Sequence, residues 1–162
     1  MAKNKNIVIL KNIDDLKDEI DYKDFEYKEH FNLLCELIPN NDLEKLEIKA
    51  IDEKNMKTEG LVYVFVIQGK IFKIGQSVRN IGGRVSNYNG GKNPRNDTNH
   101  FILKSLLKIN KIVQVYAFFP EKHTYTLFGE THQDSPTRLA EKIITKNFKD
   151  KHKKLPIGCK QN

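Results

Sequence analysis

The clearest patterning in the chain lies between Gly60 and Gly75. GLVYVFVI (60–67) and KIFKIG (70–75) are short apolar runs rich in Val, Ile, Tyr and Phe, separated by Gln68-Gly69. Their length and β-branched content predict a hairpin. Two-residue alternation puts Leu61, Tyr63, Phe65 and Ile67 on one face, and Val62, Val64 and Val66 on the other. A lone tyrosine in such a hairpin reads as a core residue.

Upstream, Asn12 with Asp14-Asp15 offers a helix cap and first-turn acids. Phe31, Leu34 and Ile38 recur at helical spacing and predict a helix over about 25–37, stopped by Pro39-Asn40-Asn41. Residues 1–59 thus read as a mainly helical N-terminal extension. Downstream, Asn80 is expected to cap a helix carrying Arg84 and Tyr88 four residues apart on one face. Residues 89–99 read as a loop exposing Lys92 and Arg95. A helix over 101–110 turns Ile102, Leu103, Leu106 and Leu107 inward, and strands follow at 112–119 and 125–128. Ser135 and Pro136 open a last helix with Leu139, Ile143 and Ile144 as apolar anchors and Glu141 among them. The expected class is α+β: a small central sheet, the hairpin plus one or two further strands, flanked by helices. Residues 60–162 form the core, and the whole is one compact unit.

A chain of 162 residues suits one domain with a genuine core. No run approaches 18 apolar residues, and the N-terminal apolar run is too short for a signal peptide. No membrane partner is expected, and a cytoplasmic location follows. Cys35 and Cys159 cannot define a disulfide framework, and the five histidines show no ligand spacing. Charge is more informative. The net +7 divides into 10 Lys/Arg against 15 Asp/Glu over residues 1–59, and 18 against 6 over 60–162. A lysine-rich composition alone does not explain an acidic first third. The basic part is expected to face a polyanion, with nucleic acid foremost.

In chain order, Tyr63 of GLVY, Lys73 of Lys73-Ile74-Gly75, Arg84, Tyr88 and Glu141 form a set that resembles the GIY-YIG nuclease superfamily. The likeness is closest to its small Type II restriction endonucleases, some of which have lysine in the second motif. The resemblance covers nearly the whole chain and implies a GIY-YIG nuclease core with an N-terminal extension. It makes Tyr63 the general base. A free phenol is only about 0.1% ionised at pH 7, so Lys73 on the neighbouring strand is expected to favour the phenolate or to orient the water. Arg84 is expected on the scissile phosphate, with Tyr88 donating to the same group. Glu141 is expected to ligate one Mg²⁺, an ion that takes few carboxylates and keeps its waters. Ser77, Lys92 and Arg95 are candidate DNA contacts.

Gln76 departs from the pattern, since close relatives carry histidine there and glutamine can hydrogen-bond but cannot act as a base. The leading expectation is a Type II restriction endonuclease cutting double-stranded DNA at a short palindromic site with Mg²⁺. It would act as a homodimer on DNA, beside a cognate DNA methyltransferase. A catalytically weak DNA-binding module of the same fold, and a repair or homing-type nuclease, stand as alternatives.

Overall fold

Alternation organises the centre of the molecule. The computed structural model describes residues 8–93 and 97–159, and Arg95 lies outside them. Five strands build the main sheet: β1 (Asn32–Pro39), β2 (Leu46–Ala50), β3 (Leu61–Ile67), β4 (Lys70–Ser77) and β5 (Val113–Phe118). Their spatial order is β2-β1-β5-β3-β4, with every pairing antiparallel. Gln68 and Gly69 turn the β3–β4 hairpin with φ of 47° and 81°, the twist that two-residue hairpins favour.

Each residue of β3 is buried, and its two faces feed different cores. Leu61, Tyr63, Phe65 and Ile67 pack beneath α1 (Ile81–Asn89) and α2 (Asp97–Ile109), with Ile102, Leu103, Leu106 and Leu107 inward. Val62, Val64 and Val66 meet Phe25, Phe31 and the helix that follows the ribbon described next. After β5 the chain leaves the sheet as a two-stranded ribbon, β6 (His123–Leu127) and β7 (Glu130–Asp134). It returns as α3 (Thr137–His152), which buries Ile144 and Phe148. Leu139 and Ile143, expected as anchors, are instead 59% and 47% exposed. One narrow stripe suffices to dock α3.

The predicted helix over 25–37 does not form. Residues 25–31 make short 3₁₀ turns, and β1 occupies the rest between β2 and β5. A bulge between Leu33 and Cys35 explains the misreading. It buries the adjacent residues Leu34 and Cys35 together, which breaks the two-residue rhythm and imitates helical spacing. The N-terminal third therefore supplies two sheet strands and is not mainly helical. Asn12 does cap, with Asp15 returning the bond, but only a single 3₁₀ turn (Ile13–Leu16).

The charge asymmetry is partly consumed internally. Asp21 meets Lys70 at 2.8 Å, Glu26 meets His152 at 2.5 Å and Lys151 at 3.3 Å, and Glu19 meets Lys154 at 3.4 Å. Most of these side chains are only partly exposed, and Glu19 is buried. Their arrangement sets acids of the first third against basic residues at the far end of α3, just beyond it, and at the start of β4.

Asn89 closes α1 onto the sheet edge. Its amide accepts from the Leu46 N–H at 2.8 Å and donates to the Leu46 carbonyl at 3.0 Å, imitating a neighbouring strand. Asn89→Ala orphans both groups and is expected to lower the unfolding free energy by about 1–3 kcal/mol. Denaturant titration measures it, and a change indistinguishable from zero would show that water replaces the amide without loss.

Candidate active site

Three elements converge at one end of the sheet. Tyr63 projects from β3 toward α1 because its cross-strand neighbour is Gly75. A Cβ at residue 75 would lie 2.5 Å from the Tyr63 Cζ and closer still to the hydroxyl. The ring lies in the space that any other side chain would fill. The Tyr63 and Tyr88 hydroxyls stand 2.6 Å apart, both tyrosines wholly buried. Asn80 caps α1 through the Gly83 N–H at 2.8 Å, and one turn in, Arg84 Nε donates to Tyr63 Oη at 3.0 Å. The guanidinium sits 4.4 Å above the Tyr88 ring.

The protonation states follow from burial. Burial, then the neighbouring Tyr63, pushes the Tyr88 phenol well above its ordinary value, and Arg84 only partly offsets them. Tyr88 keeps its proton. Burial works against the charge on Arg84, but Tyr63 and Tyr88 outweigh it and hold its pKa above the usual arginine value. The Tyr63 oxygen thus shares one hydrogen bond with the Tyr88 hydroxyl and receives another from a fixed cation.

Lys73 sits beside the bulge in the hairpin, where the pairing skips from Phe65–Lys73 to Val66–Ile71. Buried to 8% exposure, it donates to the Gly158 carbonyl at 3.1 Å. The backbone comes this close because residue 158 has no side chain: a Cβ there would stand 2.7 Å from the Phe72 carbonyl oxygen. Arg84 is thus a cation in direct contact with the Tyr63 oxygen, while Lys73, expected to favour the phenolate or to orient the water, is engaged by the Gly158 carbonyl. Cys159 completes the turn, its Sγ accepting from the Ile74 N–H at 3.3 Å and donating to the Ile74 carbonyl at 3.2 Å.

Glu141 approaches from α3. Burial raises its pKa, while Lys73 and Arg84 pull it down, so both cations lie within electrostatic reach of its carboxylate. No hydrogen bond or ion pair among the described residues engages that carboxylate. One turn earlier on the same helix, buried Thr137 donates its Oγ1 hydrogen to Gln76 Oε1 at 2.8 Å. The structure therefore gathers Tyr63, Lys73, Gln76, Arg84, Tyr88 and Glu141. Ser77 is 8% exposed, with its Oγ accepting from the Arg79 N–H at 3.1 Å. Lys92 is exposed just beyond α1.

A single free carboxylate with no cluster of three or more acidic, histidine or cysteine ligands among the described residues suits an ion that draws its other ligands from water and a phosphate. Thr137 and Gly158 were missed from sequence. The spacing of Thr137 one turn before Glu141 was available as a signal; nothing local marked Gly158.

Comparison with solved structures shows the family of the chain. The chain is 68% identical to restriction endonuclease HPY188I in complex with product DNA, over 100% of this chain and 98% of that one, with a TM-score of 0.77. It belongs to the family of that restriction endonuclease. The antiparallel sheet with its flanking helices is the α+β fold expected, shared at the level of fold with bacteriophage T4 EndoII. That likeness has a TM-score of 0.61 at 20% identity, over 80% of this chain and 95% of that one. No family model and no curated protein sequence matches the chain. No helix among the described residues is long and apolar enough to cross a membrane.

In this restriction endonuclease fold, the Tyr63–Gly75 contact admits a direct test. Gly75→Ala forces the ring to move, and overpacking of this kind costs about 1–3 kcal/mol. Thermal unfolding should register that loss. An unchanged midpoint would mean that the ring has room the structure does not show.

Proposed function

We propose that the chain is a Type II restriction endonuclease of the GIY-YIG superfamily, cutting both strands of a short palindromic duplex with Mg²⁺. The observation that carries this reading is the Tyr63 hydroxyl, held by Tyr88 and Arg84 within one site that also includes an uncommitted Glu141 carboxylate. Family membership at 68% identity with a restriction endonuclease bound to product DNA supports it.

Tyr63 is the general base. Two donors on its oxygen, one charged, prepare it to carry negative charge. Arg84 covers that oxygen in the free protein. Its Nε is engaged there, while the N–H groups on its two terminal nitrogens suit a phosphate. A phosphodiester drawing the guanidinium outward would admit water to Tyr63. Tyr63 in its phenolate form would then take the water's proton as the water oxygen bonds to phosphorus, and the opposite P–O bond would break, its oxygen leaving with a proton from solvent. Lys73 adds positive charge beside the developing phosphorane. Glu141 would hold the Mg²⁺, which supplies charge neutralisation at the leaving oxygen.

Gln76 fits as a hydrogen-bond donor. With its carbonyl occupied by Thr137, the amide NH₂ is left to face an anion, so no ionisable group is needed at this position. Lys92 and Arg95, close together in the sequence, are proposed as phosphate contacts. One site per chain cuts two strands only as a pair, so a homodimer on two-fold DNA is expected. Host DNA in the same cytoplasm would then need a cognate methyltransferase.

Plasmid cleavage with Mg²⁺ and with EDTA tests the reading. Discrete fragments should appear only with the metal. Tyr63→Phe and Glu141→Ala should each slow cutting at least about a hundredfold while duplex binding persists. Near wild-type cutting by either variant would sink the assignment.

Gln76→Glu separates a donor from a mere spacer. It keeps the shape, removes the NH₂ and adds a negative charge, and should reduce the single-turnover rate by about a hundredfold or more. A rate equal to wild type would remove Gln76 from the substrate's surroundings.

A further inference from the structure

All ten residues of the β6–β7 ribbon are exposed. Its turn uses Phe128 and Gly129 at φ of 50° and 81°, and Phe128 is 103% exposed. A two-stranded ribbon alone is marginal in water, so one this bare suits a ligand that covers it.

The register divides its side chains by chemistry. Thr124 faces Gln133 and Thr126 faces Thr131 across the strands, whereas Tyr125 faces His132, His123 faces Asp134 and Leu127 faces Glu130. Alternation therefore collects Thr124, Thr126, Thr131 and Gln133 on one face, all uncharged and all able to donate and accept hydrogen bonds. The reverse face holds the ionisable groups, braced by Tyr125 stacked on His132 at 5.7 Å between centroids.

We propose that the Thr/Gln face enters the major groove of DNA and reads base edges, making the ribbon a specificity-determining element. This rests on the nuclease reading of the adjacent site. Four observations favour it. A two-stranded ribbon fits a major groove about 12 Å wide. Five-residue strands reach about 17 Å from their root. The root itself is fixed at the candidate active site, since Ser135 packs against Gly60 and Thr137 bonds Gln76. Threonine and glutamine suit base edges, glutamine pairing with adenine and threonine methyls meeting thymine. The charge pattern agrees: base edges are neutral, and Glu130 and Asp134 lie on the reverse face. A face without large apolar side chains is poorly suited to a dry protein interface.

The test is selection of bound sequences from randomised duplexes in EDTA, using the full chain and the double variant Thr124→Val/Gln133→Ala. Both side chains are exposed, so the fold should hold, and thermal unfolding checks it. The wild type should enrich one short sequence. The variant should lose roughly ten- to hundredfold of the preference at one or two base pairs while binding non-specific duplex as before. An identical enriched sequence at undiminished preference, or no enriched sequence from the wild type, overturns the proposal. So does a variant that only shifts from dimer to monomer in sedimentation, which would make the ribbon a contact between copies. Plasmid cutting by the wild type is scored separately: retained sequence preference without cleavage would refute the nuclease reading and leave the ribbon's role standing.

Discussion

The ring of Tyr63 lies across Gly75, and the candidate site depends on that contact. Any other residue at position 75 would put a carbon where the ring now lies. With the space open, the phenol points along the sheet to α1, where Tyr88 and Arg84 reach it. One missing Cβ thus couples a strand pairing to the placement of a helix. Arg84 also distinguishes the two tyrosines: its Nε donates to the Tyr63 oxygen, whereas its guanidinium lies over the Tyr88 ring. Asymmetry between identical groups, set by surroundings, is a common route to distinct acid and base roles.

The sheet explains how residues far apart in sequence are held together. β3 is an interior strand, paired with β5 along one edge and β4 along the other, and separate hydrophobic clusters cover its two faces. The first third of the chain extends that sheet with β1 and β2 and ties its acids to lysines of α3, of the segment just past it, and of β4. Positive charge near Arg84 has no such partner from the first third in these ion pairs. The basic balance available to a polyanion is therefore more localised than composition suggests.

Legibility from sequence followed the range of the interaction. The hairpin, its turn, its two faces and the Asn80 cap are local, and each was readable. β1 was not, because the bulge at Leu33–Cys35 replaces alternation with a false helical spacing. The partner of Lys73 was also hidden. A lysine between two apolar residues says nothing of a carbonyl 85 positions later. The gathering of Tyr63, Arg84 and Glu141 was legible only through family resemblance, since no spacing rule joins a strand, a helix and a second helix so far apart. Thr137 illustrates the middle case: its position was visible, its bond to Gln76 was not.

The Gly158 turn also bears on when the site comes into being. Lys73 finds its acceptor, and Ile74 finds Cys159 for both its backbone groups, only across 85 residues of chain. The ribosome delivers β4 long before it delivers that turn. A nascent chain can thus fold its hairpin and still lack the seat of Lys73. Contacts of such long separation form late, after loop closure has been met. Assembly order thus leaves the candidate site as one of the last parts of the molecule to be completed, after most of the scaffold around it.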